Sequence, residues 1–204
     1  MDRWLVVMAK EPRAGRVKSR LAREIGTTEA TRFYRVTLDR LVRRLAGDPR
    51  WQTVLAVTPD TAIVAPVWPG GVWAIGQGRG GLGERMRRVM GGFPPGPVIV
   101  VGSDIPGIEP GHIADAFRLL GSDDVVFGPA EDGGYWLVGM KRRPRVPEIF
   151  DAVRWSTGHA LEDTLANCRG LSVGRAATLA DVDGAEAWRK WRRGDLRPAA
   201  PNRI

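Results

Sequence analysis

Short runs of consecutive apolar residues recur along this chain, and the stretches between them carry apolar residues at helical spacing. Residues 5–8, 53–57, 72–75, 97–101, 125–127 and 135–138 read as strands. Residues 17–25, 29–45, about 111–120, 159–168 and about 185–193 read as helices, with Thr27 or Thr28 capping the second. A strand that is apolar throughout has no face to give to water, so it must be covered on both sides. Such strands alternating with helices predict an α/β architecture, a mostly parallel central sheet with helices on both faces. Ligands of such sheets lie beyond the carboxyl ends of the strands. That rule selects the residues just after Ala9, Gly102 and Phe127. A further short strand is expected at residues 179–183, where side-chain alternation would put Asp181 and Asp183 on one face.

The chain has 204 residues, 43% of them hydrophobic, which is enough for one core and not for two. Residues 1–195 are therefore expected to form one domain, and residues 196–204 a loose tail. No apolar run approaches the ~20 residues that cross a bilayer, so no membrane partner is expected. The opening segment Met1 to Ala9 is too short for a signal sequence and lacks its cleavage site. Together with a single cysteine, Cys168, this points to the reducing cytoplasm. The net charge of +8 brings polyanions to mind. However, the arginines are scattered from Arg3 to Arg203, with no block longer than Lys141-Arg142-Arg143, a spread that fits a solvated surface and argues against nucleic acid. The chain has only four lysines, Lys10, Lys18, Lys141 and Lys190, and two fall in the first loop. Where arginine is the default cation, a lysine suits a site that wants a compact charge, as a phosphate does.

After the first strand comes Lys10-Glu11-Pro12-Arg13-Ala14-Gly15-Arg16-Val17-Lys18-Ser19-Arg20-Leu21. Gly15 permits close backbone approach, the following helix offers free N–H groups, and Lys10, Arg13, Lys18 and Arg20 can converge on one anion. The spacing is not that of a Walker A loop. An exposed basic helix face is the plainer role for the same residues.

After the fourth strand comes Gly102-Ser103-Asp104-Ile105-Pro106. A carboxylate at the end of a buried strand is costly unless paired, and a bound Mg²⁺ or Mn²⁺ would offset that cost; Asp104 could instead cap a helix. Gly128-Pro129-Ala130-Glu131-Asp132-Gly133-Gly134-Tyr135-Trp136 places two acids before paired glycines, with Tyr135 and Trp136 as a flat apolar surface. Asp-Gly is equally a hairpin turn. One of Asp181 and Asp183 meeting Asp104 would complete a divalent-metal site, and Asp183 can also cap the last helix. Residues 76–86 are glycine-rich and read as a flexible loop able to receive a base or ribose. Trp155-Ser156-Thr157 suits a helix cap or an acceptor pocket. His112 and His159 lack ligand spacing and read as structural or surface residues, and neither a serine nucleophile elbow nor an activated cysteine is present.

Together these segments resemble the nucleotide-diphospho-sugar transferase superfamily, with its GT-A fold. Within it the chain is most similar to the bacterial cofactor-C-like glycosyltransferases, the radical-SAM- and selenodomain-associated, arsenosugar-type group. The resemblance runs from Val6 to about Trp188. It is carried by Lys10-x-Pro12-x-x-Gly15-x-x-Lys18-Ser19-Arg20-Leu21, Gly102-Ser103-Asp104-x-Pro106, Gly128-Pro129-Ala130-x-Asp132-Gly133-Gly134-Tyr135 and Asp181-x-Asp183. It implies that the first loop, through Lys18 and Arg20, holds donor phosphates. Asp104 would be the metal aspartate with Asp183 as second carboxylate, and Asp132 and Tyr135 would face the transferred group or the acceptor. The chain departs from the family pattern at Ser19, where threonine is usual, and at Gly184-Ala185-Glu186-Ala187.

The expected protein is a glycosyltransferase dependent on Mg²⁺ or Mn²⁺, taking a nucleotide-sugar donor and a small-molecule acceptor. Lys10, Gly15, Lys18, Ser19 and Arg20 would bind the donor phosphates, and Ser103, Gly133, Gly134 and Tyr135 the substrate. Asp132 or Glu131 would take the acceptor proton. The same parts would serve a nucleotidylyltransferase that consumes a nucleoside triphosphate and releases pyrophosphate. A non-catalytic nucleotide- or RNA-binding protein is a third possibility.

Overall fold

The computed structural model describes residues 2–142 and 146–195. Seven strands form one sheet: β1 (Trp4–Lys10), β2 (Gln52–Thr58), β3 (Trp73–Gly76), β4 (Val98–Gly102), β5 (Val125–Pro129), β6 (Tyr135–Met140) and β7 (Val173–Arg175). Their spatial order is β3-β2-β1-β4-β6-β5-β7. β6 runs antiparallel to both its neighbours, and every other pairing is parallel. The expected α/β architecture with a mostly parallel sheet is the one observed.

Alternation along the strands explains why they are apolar throughout. In β1, Leu5 and Val7 face one layer, which contains Leu38, Leu41 and Leu45 of α2 (Thr27–Ala46) and Ile113 and Phe117 of α4 (Pro110–Leu119). Trp4 and Val6 face the other, with Met86, Val89 and Met90 of α3 (Leu82–Gly91). Both layers exclude water, so neither set of positions tolerates polarity.

A third, smaller cluster matters most for the site. Leu21 of α1 (Ser19–Ile25), Ala30 and Phe33 of α2, and Val182 pack together, with Trp188 and Trp191 of α6 (Ala185–Arg193) against them. Val182 is completely buried there, and burial of one such side chain is worth roughly 1.5–3 kcal/mol. This anchor holds Asp181 and Asp183, on either side of Val182, next to the first loop.

Several local expectations change. Residues 179–183 do not form a strand: only Leu179 bridges, to Ala130, and the remainder has no strand pairing because Val182 is committed to the helical cluster. The strand on that edge is β7, too short and too polar to stand out in the sequence. Gly26, not Thr27 or Thr28, caps α2, and α1 begins at Ser19 with Lys18 as its cap. The glycine-rich segment gives way to α3 at Leu82 and is pinned: Gly78 N–H donates to Asp60 Oδ1 (3.0 Å), and Arg88 donates to the carbonyls of Gln77 and Arg79 (each 2.9 Å). α5 spans Ala160–Ala166. The tail expected at residues 196–204, and Arg143 of the longest basic block, lie outside the described residues.

Candidate active site

β1 lies between β2 and β4, so the chain winds to one side of it and then to the other. At that switch point the strand ends splay apart. A cleft of about 570 Å³ opens there. Lys10 and Lys18 line it from the first loop, Ser19 and Arg20 from the start of α1, Ser103 and Asp104 from beyond the end of β4, Asp132 and Gly134 from the β5–β6 turn, Tyr135 from the start of β6, and Asp183 from the segment before α6. The structure thus gathers most of the residues singled out from sequence. Gly15, Glu131 and Gly133 do not line the cleft, and Arg13 is turned to Glu11, 2.8 Å away.

Lys18 has an unusual place. Its backbone is left-handed (φ 48°, ψ 47°), a conformation costing a non-glycine residue about 1–3 kcal/mol. Its side chain is only 5% exposed, and its Nζ donates to Asp104 Oδ2 (3.0 Å) and to Asp183 Oδ1 (2.7 Å). Burial pulls the Lys18 pKa down, but the two carboxylates more than reverse this, so the pKa is raised and the ammonium stays charged. Arg20 reaches the other oxygen of Asp183 at 3.4 Å. Lys18 therefore faces the carboxylates rather than an open anion site.

Tyr34 fastens the two strand ends that carry these groups. The Lys10 N–H donates to the Tyr34 hydroxyl (2.9 Å), which lies 3.2 Å from the Lys10 carbonyl and 3.0 Å from Ser103 Oγ. Burial raises the pKa of this phenol, so it remains a neutral donor. A faint signal was present in the sequence: Tyr34 is one of two tyrosines and puts a hydroxyl in the apolar stripe of α2.

Across the cleft, the segment 130–134 is both a hairpin turn and a cleft wall. Ala130 N–H donates to the Gly134 carbonyl (3.0 Å) and Gly134 N–H to Asp132 Oδ1 (2.9 Å), leaving the second oxygen of Asp132 without a backbone partner among the described residues. Gly133 is left-handed (φ 84°), and a Cβ there would overlap the Gly158 carbonyl. Only glycine lets the 155–158 segment approach so closely. That approach sets Trp155 against Tyr135, ring centroids 6.2 Å apart and nearly edge-on. Trp155, Ser156 and Thr157 all line the cleft. Trp136 borders the cleft, but its ring is buried in the opposite core layer, 1% exposed, with its indole N–H donating to the Ala177 carbonyl (2.9 Å). The flat apolar wall is therefore Tyr135 with Trp155.

Asp181 also lines the cleft. Burial first, and Asp183 next, push its pKa up to about 6, against the pull of Lys18. Neither histidine lines the cleft. The His112 Nδ1 accepts from the Glu109 N–H (3.1 Å) at the start of α4, and the exposed His159 lies 3.1 Å from Glu162. Burial pushes the Cys168 thiol up to about 11, which leaves it unreactive.

The donor set decides which metal these residues suit. Among the described residues no group of three or more His, Cys, Asp or Glu side chains is close enough to enclose an ion. Asp104 and Asp183 do converge on one point, and each is 40% exposed. Two carboxylates open to a cleft fit Mg²⁺ or Mn²⁺, which keep waters and complete their shells with substrate phosphates.

Residues 41–157, more than half of the chain, match the family described as an uncharacterized protein conserved in bacteria (DUF2064). The chain belongs to this family. No curated protein matches it. Among solved structures, this DUF2064 member is similar to a putative nucleotide-diphospho-sugar transferase from Desulfovibrio desulfuricans G20, at 28% identity and a TM-score of 0.85, covering 96% of this chain and 88% of that one. It shares its fold with CMP:2-keto-3-deoxy-manno-octonic acid synthetase complexed with CTP, at 14% identity and a TM-score of 0.58, covering 95% and 98% of the two chains. The same holds for glucosyl-3-phosphoglycerate synthase from Mycobacterium tuberculosis in complex with Mn²⁺, UDP and glucosyl-3-phosphoglycerate, at 12% identity and a TM-score of 0.55, covering 88% and 70%. The fold is thus that of the GT-A nucleotide-diphospho-sugar transferases. No helix among the described residues is long and apolar enough to cross a membrane.

Proposed function

We propose that this protein is a glycosyltransferase of the cofactor-C-like group, working in the cytoplasm as one domain over residues 1–195. It uses Mg²⁺ or Mn²⁺, a nucleotide-sugar donor and a small-molecule acceptor. One observation carries the proposal: Asp104, at the end of β4, and Asp183, anchored by Val182, meet directly beneath the basic first loop. Carboxylates beside a lysine- and arginine-bearing loop are what a diphosphate and its metal require.

When bound, the metal supplies positive charge to the diphosphate leaving group. Lys10, Ser19 and Arg20 hold and orient the phosphates, while Gly15 shapes the loop without touching the cleft. The sugar lies between Asp104 and the wall of Tyr135 and Trp155, with Ser103 and Gly134 as polar contacts and Gly133 setting the wall's position. Asp132 takes the proton of the acceptor hydroxyl. The acceptor oxygen bonds to the anomeric carbon, the bond from that carbon to the diphosphate oxygen breaks, and the nucleoside diphosphate leaves with the bonding pair. Asp132 suits this role better than Glu131, because it alone of the two lines the cleft.

Incubation with UDP-, GDP-, dTDP- and CDP-sugars, Mn²⁺ and a panel of small hydroxylated acceptors tests the proposal. Release of a nucleoside diphosphate with glycosylation of an acceptor supports it. Pyrophosphate release from CTP or GTP, with no nucleoside diphosphate from any sugar donor, would assign nucleotidyl transfer. RNA binding unaffected by Asp104→Ala, without turnover, would make the protein a non-catalytic binder.

A further inference from the structure

Resting on the donor-and-metal reading above, we propose that Lys18 is an exchangeable counter-cation. It bridges Asp104 and Asp183 while no divalent ion is bound, and moves to the donor phosphates when one is.

The geometry has three parts. First, the ammonium contacts one oxygen of each carboxylate, at 3.0 and 2.7 Å, so it stands where the two side chains meet. Second, the exposures are unequal: the Lys18 side chain is 5% exposed and each carboxylate 40%, so the lysine underlies a pair that faces the cleft. Third, Lys18 is the left-handed cap between the first loop and α1, with Lys10 and Arg20 lining the same cleft.

Two carboxylates drawn to one point repel each other unless a cation lies between them. In the metal-free protein Lys18 is that cation. A divalent ion ligated by both carboxylates at roughly 2.0–2.6 Å would leave the ammonium within a few ångströms of it, on the same oxygens. Repulsion at that distance, with the ammonium itself only 5% exposed, disfavours joint occupancy. A lysine is suited to leaving, because its charge is compact and sits on a flexible four-carbon stem. The charge that it removes from the carboxylates is then available on the phosphate side of the cleft. Metal and donor would each favour the other's binding, since Lys18 can satisfy only one of the two sites at a time.

Titration of the whole protein with Mn²⁺, followed by electron paramagnetic resonance, tests this with and without UDP, GDP, dTDP or CDP. Wild type, Lys18→Met and Asp104→Asn are compared. Lys18→Met is expected to bind Mn²⁺ alone about tenfold more tightly than wild type, and to lose most of the mutual enhancement between Mn²⁺ and nucleotide. If Lys18 is instead a fixed brace, Lys18→Met binds Mn²⁺ no better than wild type while Asp104→Asn still abolishes binding. That result overturns the exchange and leaves the donor-and-metal reading standing. Mn²⁺ binding that is absent, or indifferent to Asp104→Asn, in every combination overturns both. Should Lys18→Met fail to fold, the ¹⁵N-ammonium spectrum of lysine in wild type decides. Mg²⁺ with nucleotide is expected to move the Lys18 signal and leave Lys141 and Lys190 in place; an unmoved Lys18 signal contradicts the exchange.

Discussion

The two walls of the cleft are built on opposite principles. The wall formed by the first loop, the end of β4 and the segment before α6 is charged and internally paired. Lys18 holds Asp104 and Asp183, and Arg20 also reaches Asp183. The opposite wall is aromatic, with Tyr135 and Trp155 packed nearly edge-on, and Asp132 stands at its rim with one oxygen fixed by the Gly134 N–H. On the proposed function the first wall would take the charged donor with its metal, and the second would receive the acceptor, with Asp132 as its proton acceptor. That division can be broken at named residues.

The largest effect is expected from Asp104→Ala, which removes a carboxylate from the charged wall. Turnover should fall by at least about a thousandfold, and metal-dependent donor binding should disappear with it. Asp132→Asn should lower kcat by roughly a hundredfold or more. Donor affinity, measured by calorimetry, should stay within about twofold of wild type, because Asp132 belongs to the other wall. A loss of donor affinity equal to that of Asp104→Ala would break the division.

Trp155→Ala should raise the acceptor KM about tenfold with little change in donor affinity, a difference that steady-state kinetics can read. Tyr34→Phe strips the buried hydroxyl that joins Lys10 to Ser103. It should cost about 1–3 kcal/mol of stability in denaturant unfolding, with a smaller loss of donor affinity.

The smallest effect concerns the base of the aromatic wall. Arg154 donates to both oxygens of Asp163 (2.9 and 2.7 Å), and these hydrogen bonds hold that carboxyl at about 2. A carboxyl depressed on folding stabilises the protein above its unfolded pKa, and this contribution is lost between roughly pH 4 and pH 2. Arg154→Gln should therefore lower stability slightly at neutral pH, as read by denaturant unfolding, and the difference from wild type should shrink as the pH falls from about 4 to 2.

The two walls were also unequally legible in the sequence. The charged wall rests on residues whose chemistry is rare in its setting: a lysine in an arginine-rich chain, an aspartate ending the apolar run of β4, an Asp-x-Asp before a helix. Local spacing and the rule that ligands lie beyond strand ends were enough to select them. Local spacing was not enough to show that Lys18 turns inward onto the acids, which depends on a left-handed backbone and on Val182 docking between α1 and α2. In the aromatic wall, Tyr135 was visible beside its glycines, and Trp155 was legible as a helix cap or a pocket residue but not as the partner of Tyr135. Trp136 is adjacent in sequence and yet faces the core by strand alternation, while Trp155 arrives through the contact of Gly133 with Gly158. For the fold, strands with full apolar runs were plain. β7 was not, since at three residues, one of them an arginine, its pairing comes from β5 and not from its own composition.

The central claim is that Asp104 and Asp183 hold a divalent ion with a nucleotide donor. Calorimetric titration of wild type and Asp104→Ala with UDP-, GDP-, dTDP- and CDP-sugars, with Mn²⁺ and then with EDTA, tests it most directly. At least one donor is expected to bind wild type with Mn²⁺, to lose most of its affinity in EDTA, and to bind Asp104→Ala weakly under both conditions. Donor binding that is equal in Mn²⁺ and EDTA and unchanged by Asp104→Ala, or no binding of any donor, would contradict it.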